Sequence, residues 1–256
     1  MKRKHDAWTL CLGLVLVLGW GVPCRAQDKD EDRIEENVPG HKDLVKVTHI
    51  FRHKKGKPAS NACVCGGPEG SNYSLEKAKW FDPAINYTIY TMNSGLGAAA
   101  GEAVKASFSV WKANEPAAPV AVATQNDAAP GPGIALDSEQ NVSWQPLSAT
   151  YGANTLAVTV YWYSRAKTGG FSKITHFDMA YNTDYSWALL AQTPACGGGA
   201  ATAYDVQDIG THEAGHVYGL NHNSACNLTM NPTAAAGETT KSTLASGDVN
   251  GIKAIY

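Results

Sequence analysis

The sequence predicts a mixed α/β (α+β) fold, and three observations carry that expectation. Strand-like alternation recurs at residues 85–92, 156–163 and 174–181. A helix-period stretch at residues 101–112 lies between the first two, and a second helix follows near residue 212. Strands and one helix first, then another helix, is not the regular strand–helix alternation of a doubly wound sheet.

The elements follow in order. Leu44 to Phe51 alternates well enough for a strand, although residues 27 to about 70 otherwise read as loosely attached: residues 28–32 are a charge run, His53 to Lys57 is basic, and Gly66-Gly67-Pro68 breaks the chain. Ile85 to Met92 alternates as a half-buried strand. Gly101 to Lys112 places Val104, Phe108 and Trp111 at spacings of four and three, one face of a helix. Ala113 to Pro132 is rich in Ala and Pro and has room for two short strands. In Leu156 to Tyr163, Val158, Val160 and Trp162 alternate with Thr159 and Tyr161. Ile174 to Tyr181 is expected to be an edge strand, with His176 a solvated histidine upon it. No internal repeat occurs.

Composition narrows the functional classes. The 256 residues are 44% hydrophobic and include 7 Trp and 11 Tyr, enough to build a core and too apolar for a disordered chain. With 21 basic and 23 acidic residues and no basic cluster beside the aromatics, a nucleic-acid partner is excluded. Lys2, Arg3 and Lys4, the apolar run Thr9 to Trp20, and Cys24-Arg25-Ala26 make residues 1–26 a signal peptide, which predicts export. Its apolar run is too short to span a bilayer, which takes about 20 residues, so no membrane partner is expected after cleavage. The remainder carries 17 basic and 22 acidic residues and four cysteines, Cys63, Cys65, Cys196 and Cys226. In an exported chain these suggest disulfides, and three pairings are open.

Residues 212–222 carry the chemistry: His212-Glu213-Ala214-Gly215-His216-Val217-Tyr218-Gly219-Leu220-Asn221-His222, or H-E-x-x-H-x-x-G-x-x-H. Positions four apart share a helix face, so His212 and His216 can aim at one metal ion. Glu213 lies beside that face, within reach of a metal-held water without being a ligand. Gly219 can adopt a backbone conformation closed to other residues, turning the chain so that His222 becomes a third ligand. Three neutral imidazoles leave the fourth tetrahedral position open, the pattern of a catalytic zinc site. Glu213 is then the general base.

This long motif resembles that of the metzincin metallopeptidases. Met230, eight residues after His222 in Thr229-Met230-Asn231-Pro232, resembles the Met-x-Pro turn of the matrixin branch, and Pro232 replaces the extra Tyr ligand of astacins and serralysins. Leu244 to Tyr256 resembles the final matrixin helix, and Asp178, Asn182 and Trp187 the segment before the active-site helix of microbial members. The resemblance covers about Trp80 to Tyr256. It implies a twisted, mostly parallel sheet with a backing helix, an active-site helix, and a small C-terminal subdomain holding the methionine turn and final helix. It implies a secreted endopeptidase with one Zn²⁺, acting on proteins or peptides. The chain then divides into residues 1–26, a short N-terminal or pro-segment at 27–75, and a catalytic domain at 76–256. Ala234 stands where many members have a pocket Tyr and Gly247 where they have an acidic residue, so substrate preference does not carry over. No second, structural zinc loop is present between Trp162 and His176.

Cys65-Gly66-Gly67-Pro68-Glu69 resembles the matrixin latency motif, which makes Cys65 a candidate latency ligand; Val64 and Glu69 depart from that motif, and a plain disulfide cysteine is the other reading. Cys196 and Cys226 flank the active-site segment, and a disulfide between them would staple its rim. Calcium is left open, since Asp178 and Asp184 lack further oxygen ligands at regular spacing. Oligomeric state is open as well. A second functional class, a secreted binding or adhesion protein keeping zinc only as structure, is opposed by Glu213, for which a scaffold has no use.

Overall fold

The computed structural model describes residues 32–54, 71–190, 202–224 and 228–256. The signal segment, Cys63, Cys65, Cys196 and Cys226 lie outside the described residues. The elements are β1 (Arg33–Val38), β2 (His41–His53), β3 (Ala78–Lys79), β4 (Ala84–Tyr90), α1 (Ala98–Asn114), β5 (Val120–Asn126), β6 (Asn141–Gln145) and α2 (Ser148–Tyr151). There follow β7 (Thr155–Thr168), β8 (Phe171–Asn182), β9 (Trp187–Ala188), β10 (Tyr204–Asp205), α3 (Val206–Val217), β11 (Thr233–Ala234) and α4 (Ser246–Ile255).

The main sheet runs β1-β2-β7-β8-β6-β4-β5, with β3 added beside β8 and β11 beside β2. The β8-β6, β6-β4 and β4-β5 pairs are parallel, as are the two short additions, while β1-β2, β2-β7 and β7-β8 are antiparallel. A mostly parallel sheet must be covered on its faces. Helix α1 covers one, burying Val104, Phe108 and Trp111. Phe108 packs among Tyr87, Phe177 and Tyr218, joining strands β4 and β8 to the chain beyond α3. The Ala/Pro-rich stretch yields the single strand β5.

Two sequence expectations are corrected. Strand β8 is interior, between β7 and β6. Its buried Asp178 is satisfied from the neighbouring chain, accepting hydrogen bonds from Ala135 N (2.9 Å), Asn141 N (3.1 Å) and Asn141 Nδ2 (2.6 Å). His176 is therefore not solvated; it is 5% exposed, with Nε2 3.5 Å from Asp178 Oδ2 and its ring edge-on to Trp162.

The second correction concerns residues 32–54, which are firmly attached. They form the β1-β2 hairpin, and β2 pairs with β7 from Leu44↔Ser164 to Arg52↔Thr155. The charge run, the basic run and the Gly-Gly-Pro breaker made the segment look loose, but Val45, Val47, Ile50 and Phe51 are all buried. Ion pairs bind the rest: Arg33 grips Glu76 through two nitrogens at 2.7–3.0 Å, and Arg52 Nε meets Asp32 at 2.7 Å.

Replacing Asp178 by Ala strands the two buried N–H donors of Asn141, each costing about 1–3 kcal/mol, and frees the exposed Ala135 N–H to water. Urea unfolding should show a loss of roughly 3 kcal/mol; a loss below about 1 kcal/mol would contradict this role.

Candidate metal centre and active site

Helix α3 carries His212, Glu213 and His216, and apart from Gln207 its residues are buried. A helix enclosed on all sides must be fixed by hydrogen bonds as well as packing. Asp205 caps it, accepting from Asp208 N at 2.7 Å. Side chains from the surrounding layers then donate to its carbonyls: Tyr181 to Val206, Ser107 to Gln207, Trp111 to Thr211 and Trp80 to Val217. The Trp111 and Trp80 indole bonds are both 2.8 Å.

The helix ends in a tight turn in which Gly219 N donates to the His216 carbonyl and Leu220 N to Gly215, each at 3.0 Å. Gly219 has φ +98°, and a side chain there would collide with the carbonyl oxygen of Ala78. That turn brings His222 back under the helix. His216 Nε2 lies 3.1 Å from both His212 Nε2 and His222 Nε2.

The other ring nitrogens decide what those meetings mean. His212 Nδ1 lies 2.7 Å from the Thr229 carbonyl and His216 Nδ1 2.9 Å from the Leu220 carbonyl. A carbonyl only accepts, so each Nδ1 carries the proton and each Nε2 presents a lone pair. Burial, reinforced by the neighbouring imidazoles, holds both histidines well below the usual histidine range, so they stay neutral. Neutral imidazoles turned this way present lone pair to lone pair, which one cation reconciles. The donor set fits zinc.

Met230 lies below, 1% exposed, where a methyl group on Gly215 would collide with its sulfur and with Trp111. Asp248, buried in α4, accepts from Thr229 N (2.8 Å), Met230 N (3.2 Å) and Ala245 N (3.0 Å). It thereby fixes the turn whose Thr229 carbonyl orients His212. Glu213 is fully buried; its Oε2 accepts from Thr159 Oγ1 at 2.6 Å, while Oε1 has no hydrogen-bond partner among the described residues. Burial pushes this carboxyl up to about 8 against the opposing Thr159 bond.

Residues 79–256 match the family model described as Matrixin. The chain belongs to the matrixin family of metallopeptidases. Karilysin of Tannerella forsythia is 22% identical to this matrixin over 167 residues, 63% of this chain and 30% of karilysin, so the likeness spans less than a third of that relative's length. No helix among the described residues of the matrixin is long and apolar enough to cross a membrane.

Of the residues singled out from sequence, the three motif histidines, Glu213, Gly219 and Met230 meet at one place in this matrixin. Cys65, Cys196 and Cys226 lie outside the described residues. Asp178 spends its carboxylate on bonds within the sheet, and Ala234 is buried in β11, paired with His53. Sequence reading missed three contributors: Thr159, Asp248 as the brace of the methionine turn, and His49. The His49 ring stacks on His216 with centroids 3.8 Å apart and planes 8° apart, and Phe51 stacks on His212 at 4.0 Å. The alternation of β2 was the only signal available, since it puts residues 49 and 51 on one face.

Replacing Asp248 by Ala should lower zinc affinity by about 10–100-fold, because the Thr229 carbonyl loses its anchor. Competition with a chromogenic chelator measures this; unchanged affinity would contradict the bracing role.

Proposed function

We propose that this matrixin is a secreted zinc endopeptidase in which His212, His216 and His222 hold the metal and Glu213 is the general base. The observation that carries the reading is the convergence of three imidazole nitrogens beside a buried carboxylate with one oxygen uncommitted. Bound zinc supplies a Lewis acid and lowers the pKa of a coordinated water toward about 7.

The chain's own groups do the rest. Thr159 holds Glu213 Oε2, leaving Oε1 to accept a proton from the attacking water and return it to the departing amine. The backbone carbonyls of Thr229 and Leu220 keep two imidazoles in the metal-binding tautomer. Met230 shapes the floor of the site without ligating. Secretion is supported by the signal-like residues 1–26, and the substrate class, proteins or peptides, by the family.

Changing Glu213 to Ala, in the full chain and in a form beginning near Ala78, should leave one bound zinc per chain. Casein hydrolysis in the active form should fall by roughly 10²–10⁴-fold. Wild-type turnover by the variant would refute the assignment. Removing zinc with a chelator should abolish hydrolysis and readdition restore it; activity that survives full metal depletion would refute the metal's role.

A further inference from the structure

A pocket of about 270 Å³ opens where β1, β2, β7 and β8 meet the segment leading into β3. Its charged lining is four cations, Arg33, Lys77, Arg165 and Lys167, against two carboxylates, Glu35 and Glu76. Both carboxylates are already committed. Glu76, its side chain 2% exposed, takes the Arg33 guanidinium at 2.7–3.0 Å, and Glu35 takes the same group at 2.9 Å. Arg165 donates only to neutral oxygens, the Lys42 carbonyl and Asn37 Oδ1. Lys77 and Lys167 make no ion pair and no side-chain hydrogen bond among the described residues.

This excess of two positive charges runs against composition, since beyond residue 26 the chain has 17 basic and 22 acidic residues. Like charges brought to one hollow repel one another. Backbone pairing nonetheless puts them there. Ser172 N donates to the Lys77 carbonyl at 3.0 Å, and Lys167 stands opposite Ser172 in the β7-β8 ladder. Lys77 also has φ +54°, the one left-handed residue other than glycine among the described residues. The bond from Glu76 N to the Gly219 carbonyl, 3.0 Å, and the Ser172 bond hold it on either side. Glycine would take that angle without strain, and strained residues of this kind gather where ligands are held.

The uncharged lining tells what the anion is attached to. Val45 and Tyr163, paired across β2 and β7, line the same pocket, and the Tyr163 hydroxyl is spent on Glu35 at 3.3 Å. A phosphate monoester carries about 1.5–2 negative charges at neutral pH on three accepting oxygens, which matches an excess of two cations. A carboxylate brings one charge and two oxygens. Tyr163 stands four residues along β7 from Thr159, the residue bonded to Glu213, or about 13 Å of strand. The pocket is therefore separate from the metal centre.

We propose that this pocket binds a phosphate monoester, with Lys77, Arg165 and Lys167 taking the phosphate oxygens and Val45 and Tyr163 the carbon body. The ester is a free organic phosphate or a phosphorylated side chain of a protein, and the chemistry that recognises either is the same. The assignment does not depend on the peptidase reading.

Isothermal titration of the full chain with phenyl phosphate, inorganic phosphate and a phosphotyrosine peptide tests the site. Phenyl phosphate should bind, more weakly as salt rises, and Lys77→Gly and Lys167→Ala should each lower its affinity about 10-fold or more. Lys77→Gly separates binding from folding: glycine suits the left-handed angle, so the urea midpoint should hold or rise while affinity falls. Lys167 is exposed, so its replacement reports on binding alone. No binding of phenyl phosphate would overturn the proposal. So would binding that neither substitution weakens, which would put the ester at the metal centre instead. Inorganic phosphate binding as tightly as phenyl phosphate would overturn the assignment to an ester. With the pocket upheld, a peptide bound at least about 10-fold tighter than phenyl phosphate assigns the ester to a protein side chain. A peptide bound no tighter assigns it to a free organic phosphate.

Discussion

The buried Nε2 atoms of His212 and His216 face each other at 3.1 Å with their lone pairs inward, the Nε2 of the half-buried His222 lies at the same distance from His216, and the rest of the structure is arranged around that meeting. Left alone it is an unfavourable packing of like partial charges, with His212 and His216 fully buried. A single cation held between the nitrogens reconciles them. The carbonyls of Thr229 and Leu220 make the arrangement obligatory by taking the other ring protons.

Holding that geometry requires rigidity on every side. Helix α3 is enclosed, and four side chains from β3–β4, α1 and β8 territory donate to its backbone, so it cannot slide relative to the sheet. Gly219 reverses the chain at a backbone angle that strains other residues, close against the Ala78 carbonyl. Asp248 gathers three N–H groups and so locks the methionine turn to the final helix. Small residues matter for the same reason: Gly215 is the space that Met230 and Trp111 occupy.

Much of this was legible in the sequence, for identifiable reasons. The motif's spacing encodes helix geometry directly, so His212, Glu213, His216 and the turn at Gly219 could be placed without a fold. The apolar spacing of Val104, Phe108 and Trp111 likewise marked the face of α1 that is buried. Pairings between distant residues were not legible. Strand β8 looked like an edge because Asp178 and Asn141, 37 positions apart, hide each other's polarity only once folded. The β1-β2 hairpin looked loose because its partner strand begins about a hundred residues later and its anchors are ion pairs such as Arg33–Glu76. His49 carried no motif at all; its meaning comes from the register that sets it opposite Thr159, the residue that bonds Glu213.

The central claim is that the imidazoles of His212, His216 and His222 hold one zinc at this centre. X-ray absorption at the zinc edge of the purified full chain tests it most directly. The account predicts one zinc per chain with nitrogen or oxygen neighbours at about 2.0–2.1 Å. No bound zinc, or a zinc shell without imidazole scattering, would contradict it.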